Sequence, residues 1–455
     1  MKCTSSRSLK ILAAVSLVAV LGLAVFQLSR APRLEELPAN MRLDAERNPL
    51  VVLVLIDTLR RDHVAALGYD RATTPNLDRL ASEGFVASGM LTHASQTVPS
   101  VASIFTSKPP HEHGIQFDLH TEGFGNQGES KTPLLAEDNL TLAEVLSQKG
   151  YATAAVVANP WLRRKFGFAQ GFDEYQGTGF SKVERGLNDG AEINDAASRL
   201  IREHSADKTF LYLHYMDVHS PYAHAGKLPR VFRKGPGRVV HDNGPVDGVS
   251  AQDLAYSIGA YDDGLVYTDA LIGKLAQELE AAAAERDVLL VVTSDHGEEF
   301  LEHGGMGHGS TLYPELLQTF AIFWRPDKRL LRPREARLSG TMDIAPTLLD
   351  LVGVPTPKEM AGRSLLRPYS DRIVISELAR KKAAIKNGWG VVRDLDTHQD
   401  EVVAYAGAST SEPSADLIAE LGSRLDSLEF RTMTVNNTAP NPDLVRQLRA
   451  LGYMK

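Results

Sequence analysis

Four short stretches of the chain carry side chains that could bring a cation and a nucleophile together. Asp57 directly follows the apolar run Leu50–Ile56, and Asp295 and His296 follow Val288–Thr293 within Thr293-Ser294-Asp295-His296-Gly297-Glu298. His219 lies five residues beyond an apolar segment ending at His214, within Asp217-Val218-His219-Ser220-Pro221-Tyr222. Ligands of open parallel sheets bind beyond the carboxyl ends of the strands, so polar groups just after apolar runs are the first place to look for chemistry. Each of these residues alone reads equally well as a helix cap or a loop hydrogen bond. Together they put two carboxylates and an imidazole on one sheet edge, a mixed set suited to a divalent cation.

The fourth stretch is Ser95-Gln96-Thr97-Val98-Pro99-Ser100-Val101-Ala102-Ser103-Ile104-Phe105-Thr106. Pro99 in a first turn and the spacing of Val101, Ile104 and Phe105 predict a helix, with Thr97 just ahead of its N-terminus. Free amides and the helix dipole favour a tetrahedral anion there. On its own Thr97 reads as an N-cap. Beside a cation its hydroxyl loses its proton more easily and becomes a nucleophile near neutral pH.

These residues need a scaffold that delivers strand ends to one edge. The continuous β-branched run Leu50–Ile56 suits a strand buried on both faces of a parallel sheet. Further strands read at Tyr151–Val157, Phe210–His214, Val288–Thr293 and Phe320–Phe323, with helical patterns between them. One helix is predicted over Pro75 to Glu83, capped by Thr74 and closed by Gly84; another starts at a capping box of Thr141 and Glu144 and ends by Gly150. This alternation predicts an α/β fold with a large, mostly parallel sheet sandwiched by helices over residues 50–371. From about residue 372 the texture changes to short strand-like pieces, a polar stretch and a terminal helix, which predicts a small C-terminal α+β subdomain over 372–455.

Composition narrows the function. A formal net charge of −8 argues against a nucleic-acid-binding surface, and the 43% hydrophobic and 23% charged fractions are those of a globular protein. The single cysteine, Cys3, excludes a disulfide framework, a cysteine-rich zinc module and a cysteine nucleophile in the folded body. Cys3 precedes an uncharged apolar segment, Ile11–Leu28, itself preceded by Lys2, Arg7 and Lys10. The segment over 11–29 reads as a signal peptide or a transmembrane helix, close to the lower limit of about 17 residues for spanning a bilayer. Pro32 after the candidate cleavage site favours an uncleaved anchor. The basic residues then keep 1–10 in the cytoplasm, a vote weakened by Arg30 and Arg33 on the far side. Residues 30–49 read as a tether, and the body is expected in the periplasm or outside the cell.

The motifs taken together resemble the sulfatase family within the alkaline phosphatase superfamily. The resemblance rests on Val54-Leu55-Ile56-Asp57-Thr58-Leu59-Arg60-Arg61-Asp62, Thr74-Pro75-Asn76-Leu77-Asp78-Arg79-Leu80, Ser107 to Gly114, Ser294-Asp295-His296-Gly297-Glu298 and Asp343-Ile344-Ala345-Pro346-Thr347-Leu348-Leu349, in the family's order. It implies an alkaline-phosphatase-like fold, a divalent cation (Ca, Mn, Zn or Mg) held by Asp57, Thr97, Asp295 and His296, and Thr97 as nucleophile. The departures are informative. Usual sulfatases carry a Cys or Ser at the Thr97 position, oxidised to formylglycine, inside a Cys/Ser-x-Pro-Ser-Arg pattern. Here Pro99 and Ser100 remain, the Arg is Val101, and a threonine cannot yield the aldehyde. The usual Asp-Asp pair is Asp57-Thr58. The segment that helps hold sulfate is Ala158-Asn159-Pro160-Trp161, which leaves Asn159 as the polar contact to substrate.

The remainder resembles the threonine branch of the superfamily, which includes nucleotide pyrophosphatases, phosphoethanolamine transferases and lipoteichoic acid synthases. His308, twelve residues after His296, and His219, before Pro221-Tyr222, match histidines that in that branch contact the transferred group, hold a second metal or protonate the leaving oxygen. His303 is a weaker candidate, and His111 and His113 read as structural. Three functions stay open: a metal-dependent hydrolase or transferase of phosphate or phosphodiester esters, a sulfuric ester hydrolase working without formylglycine, and a non-catalytic binder of anionic envelope lipids or glycans. The loops 179–188 and 221–250 carry no recognisable substrate code.

Overall fold

A computed structural model describes residues 37–38, 41–116, 132–178, 190–222, 230–240, 244–330, 336–368, 372–405 and most of 407–451. Eight strands make one mixed sheet: β1 (Leu50–Ile56), β2 (Phe85–Leu91), β3 (Ala152–Val157), β4 (Glu174–Gly177), β5 (Thr209–Tyr215), β6 (Val288–Thr293), β7 (Gln318–Trp324) and β8 (Ser339–Gly340). Their spatial order is β8-β2-β7-β6-β1-β5-β3-β4. All seven residues of β1 are 0% exposed. Side chains alternate between the faces of a strand, so both faces of the sheet are covered there, and the run has no reason to alternate in polarity. β7 is antiparallel to β2 and β6, which makes the sheet mixed.

Register does the positioning. β1 runs parallel to β5 and β6, with Leu55 opposite His214 on one side and Thr293 on the other. The three strands therefore end level, and Asp57, Asp295 and the segment from His214 onward leave the sheet at one edge.

Apart from the four-residue turns Pro110–His113 and Pro314–Leu317, the α-helices described around this sheet are α1 (Pro75–Glu83), α2 (Thr97–Thr106), α3 (Leu142–Ser147), α4 (Gly190–Glu203), α5 (Ala251–Ala282) and α6 (Ile344–Leu351). The Thr141–Glu144 capping box opens α3 as expected. Thr74 does not cap α1. Its hydroxyl accepts from the Ala65 amide at 3.0 Å and donates to Asp78 at 3.0 Å. The first amides of α1, on Asn76 and Leu77, instead donate to Asp269 of α5 at 2.9 and 2.8 Å. A carboxylate almost 200 residues away supplies the cap, which local sequence could not show.

Beyond residue 371, β9 (Val374–Glu377), β10 (Lys381–Lys386), β11 (Trp389–Asp394) and β12 (Asp400–Ala404) form an antiparallel sheet. One face packs Ile375, Ala384 and Val391 against Leu421 and Leu425 of α7 (Ala415–Asp426); the other packs Val374 and Ile385 against Leu91, Leu312 and Leu317 of the larger unit. The terminal helix α8 (Pro442–Ala450) belongs elsewhere: Leu444, Leu448 and Leu451 join the core of the main sheet. Its amphipathic pattern specifies a buried face without specifying against what. Residues 41–49, expected as part of a tether, also pack on the body, with Leu43 buried and its amide bonded to the Leu351 carbonyl at 2.8 Å. The segments 1–36 and 179–188 lie outside the described residues, and among the described residues no helix is long and apolar enough to cross a membrane.

Candidate active site

Asp57, Asp295 and His296 meet at the sheet edge, with one ligand atom from each inside a 4.8 Å group. Thr97 joins them: its Oγ1 lies 3.5 Å from Asp57 Oδ1 and 3.4 Å from His296 Nε2. Thr97 is the first residue of α2, with Gln96 at the N-cap position, so it stands inside the helix start rather than ahead of it. Its hydroxyl faces Asp57 and His296. All four side chains are buried.

The two oxygens of Asp57 have separate surroundings. Oδ2 accepts from Asn159 Nδ2 at 2.8 Å and faces His214 Nε2 at 3.0 Å, while Oδ1 faces Thr97 and His296. Burial alone would raise the pKa of this carboxyl. The hydrogen bond from His214 and the electrostatic pull of the surrounding His219, His214 and His296 rings outweigh burial and hold it well below the ordinary carboxylate range. Asp295 is the opposite case. Its Oδ1 accepts the amides of Thr58 at 3.2 Å and His296 at 3.0 Å, while its Oδ2 has no hydrogen-bond partner among the described residues. Burial first, and then the charge of Asp57, push Asp295 well above the usual range. Two buried carboxylates this close cannot both stay ionised without a cation.

His296 Nδ1 lies 2.9 Å from the Gly297 carbonyl, so that nitrogen carries the proton and Nε2 turns its lone pair on the cluster. Thr58, where the family has a second Asp, has a φ of 58°. A β-branched residue there costs on the order of 1–3 kcal/mol. Hydrogen bonds from its amide to Asp295 and from Tyr261 Oη to its carbonyl at 2.8 Å keep it in place.

An orphaned carboxylate oxygen, an inward imidazole lone pair and a repelling carboxylate pair are what a divalent cation would satisfy. The donor set therefore fits the cation that the family implies.

His219 and His308 stand beside this cluster. Their rings meet edge to face at 5.0 Å between centroids, and His308 is 4.5 Å from the His296 ring. His219 Nδ1 donates to the Ser220 carbonyl at 2.6 Å, which turns Nε2 into an acceptor; burial lowers its pKa, with Asp57 opposing and His308 reinforcing the shift. His308 Nδ1 pairs with Glu298 at 2.7 Å. Burial pushes Glu298 up to about 7 against the pull of His219 and Tyr222.

Asn159 is reached from another direction than expected. Its amide donates to Asp57 and its carbonyl accepts from the Trp161 amide at 2.9 Å, so it orients the carboxylate. His303 is not part of the cluster; it pairs with Glu315 at 2.8 Å. His111 pairs with Glu377 at 2.5 Å and His113 with Ser103 at 3.1 Å, both in the interior.

Sequence reasoning missed His214, Glu298 and the Thr58 amide. A signal existed for His214: it closes an apolar strand predicted to lie near the one carrying Asp57. Glu298 was visible only as part of a motif, and a backbone amide leaves no trace in residue types.

A sulfatase family model matches residues 49–354. The chain is 28% identical over 336 residues to the phosphatidylethanolamine transferase Mcr-2 of Escherichia coli, across 69% of this chain and 56% of that protein. It is 25% identical over 361 residues to arylsulfatase A of Homo sapiens, across 72% and 68%. The chain spans little more than half the length of the Escherichia coli transferases Mcr-2 and Mcr-1 that it matches. Among solved structures, the phosphonate monoester hydrolase of Agrobacterium radiobacter superposes with a TM-score of 0.64 over 84% of this chain and 94% of that one. At 16% identity this is a likeness of fold.

Proposed function

The chain belongs to the sulfatase family, and we propose that within it the chain is a membrane-anchored, metal-dependent hydrolase or transferase of phosphate or phosphodiester esters with Thr97 as nucleophile. The observation that carries this reading is the place of Thr97 Oγ1, 3.5 Å from Asp57 Oδ1 and 3.4 Å from His296 Nε2 at the first turn of α2. The similarity to the Mcr transferases supports it, and the similarity to arylsulfatase A makes a sulfate ester the competing substrate.

A divalent cation held by Asp57, Asp295 and His296 would lower the pKa of the Thr97 hydroxyl and offset charge on the transferred group. Thr97, its proton lost to solvent, forms a bond to phosphorus as the bond to the leaving oxygen breaks and that oxygen keeps the electron pair. The amides at the start of α2 face the anion. His308, backed by Glu298, gives the leaving oxygen a proton; His219, accepting at Nε2, takes a hydrogen bond from the water or acceptor hydroxyl that attacks in the second step and orients it. Water or an acceptor hydroxyl then attacks the same phosphorus, releases Thr97 and returns a proton to His308. A phosphoryl group carries more negative charge than a sulfuryl one, so a cation beside a helix N-terminus helps it more.

Acid-quenched intact-mass analysis after mixing with an excess of a phosphodiester tests the covalent step. The expected result is a phosphoryl-sized or substituted-phosphoryl adduct mapping to Thr97 and missing from Thr97→Ala. An adduct on another residue would overturn the reading. The anchor through Ile11–Leu28, with the body outside the cytoplasm, is tested by fractionation: full-length protein in the soluble cytosol is incompatible with it.

A further inference from the structure

The turn that follows the Asp295-His296 pair carries a second set of donor groups that the reading above does not use. We propose that Glu299, His303 and Glu315 bind a separate divalent cation of the zinc class, which clamps the 299–305 turn to the loop leading into β7. One ligand atom from each of the three lies inside a 4.8 Å group. His303 Nδ1 is already 2.8 Å from Glu315 Oε1, and the Tyr313 ring stacks on the imidazole at 3.6 Å between centroids and 13° between planes, which fixes the ring's orientation.

Glu299 is the observation that points to an ion. Its side chain is buried, with the residue only 1% exposed, yet it forms no ion pair among the described residues. Oε1 accepts the amides of His303 at 3.0 Å and Gly305 at 2.7 Å, and Oε2 accepts no hydrogen bond among the described residues. The two guanidinium groups beside the adjoining cavity are already engaged: Arg60 bonds Asp62 at 2.8 Å and Glu302 at 2.6 Å, and Arg61 Nε donates to the Ser88 carbonyl at 3.0 Å. Two carboxylates, Glu299 and Glu315, are thus left with one imidazole between them, and burying such charge without compensation is costly.

Two carboxylate oxygens and one imidazole nitrogen match the three-ligand, one-water pattern of zinc, while calcium and magnesium prefer oxygen alone. His303 keeps 38% of its side chain exposed, and a cavity of about 360 Å³ whose lining includes Arg60, Arg61, Asp62, Glu302, His303 and Glu315 opens beside it, so an ion can enter from solvent.

The test is metal stoichiometry in the purified full chain, stripped with chelator, reloaded with ZnCl2 or CoCl2 and desalted. Wild type is expected to hold two ions, Asp295→Asn one, His303→Ala one, and the double variant none. The visible Co(II) spectrum of Asp295→Asn should vanish on adding His303→Ala, or on adding Glu315→Gln if the first variant does not fold. An Asp295→Asn protein that binds no ion, or binds one indifferently to His303→Ala and Glu315→Gln, overturns the proposal and leaves the active-site reading standing. One ion lost only with His303→Ala overturns the active-site cation instead.

Discussion

His214 Nε2 lies 3.0 Å from Asp57 Oδ2 with both side chains fully buried, and this contact decides which oxygen of Asp57 is left for anything else. Behind it, Tyr212 Oη is 2.8 Å from His214 Nδ1. Burial first, then Tyr175, Asp295 and Asp57, raise the Tyr212 phenol well above its ordinary pKa, so it keeps its proton and donates. His214 must then carry its proton on Nε2, toward Asp57. Partners of this kind around a ligand are worth about 10–100-fold in metal affinity. His214→Phe should weaken divalent-cation binding by at least about tenfold, with Tyr212→Phe acting in the same direction more mildly. Calorimetric titration of the chelator-stripped protein measures both.

The Asp57–Asp295 pair sets a pH dependence. Asp295 has a folded pKa above its unfolded value, so between the two the native state holds a proton that the unfolded state has released. Stability without cation should therefore fall as pH rises from the ordinary carboxylate range through the raised value. A cation displaces that proton, so its affinity and its stabilising effect should grow over the same window. Asp295→Asn should flatten the slope down to the part that Glu298, itself raised to about 7, contributes, and should remove most of the cation effect while leaving the fold intact. Thermal denaturation against pH, with and without chelator, checks both signs.

What sequence could reach here divides by the range of the interaction. The strand ends were legible because a fully buried parallel strand must be a continuous apolar run; Asp57 follows one directly, and Asp295 and His296 lie within three residues of the end of another. Thr97 was legible through Pro99 and the apolar period of α2. The cap of α1 by Asp269, the hold of Asn159 on Asp57 and the pairing of His303 with Glu315 were not. Each joins residues that only the tertiary fold brings together. β2 was missed because Ser88 and Gly89 interrupt its apolar run, and α8 was assigned to the wrong core because amphipathicity names a face and not its partner.

The pairing of His308 with Glu298 at 2.7 Å predicts a leaving-group effect. A nitrophenolate leaves without help, whereas an alkoxide needs a proton. His308→Ala should slow an alkyl phosphodiester by about 100-fold or more and the nitrophenyl ester far less, and Glu298→Gln should follow the same pattern more weakly. The slope of log kcat/KM against leaving-group pKa is the readout, and a merely structural role would lower all esters alike.

The central claim is that Thr97 attacks phosphorus. The most direct measurement compares kcat/KM for a p-nitrophenyl phosphodiester, p-nitrophenyl phosphate and p-nitrophenyl sulfate, which share one leaving group, in the cation-loaded wild type and in Thr97→Ala. The account predicts that a phosphorus ester is turned over at least about tenfold faster than the sulfate, roughly 1.4 kcal/mol of transition-state preference, and that Thr97→Ala removes the activity without unfolding the protein. Faster turnover of the sulfate ester, retained by Thr97→Ala, would contradict both parts.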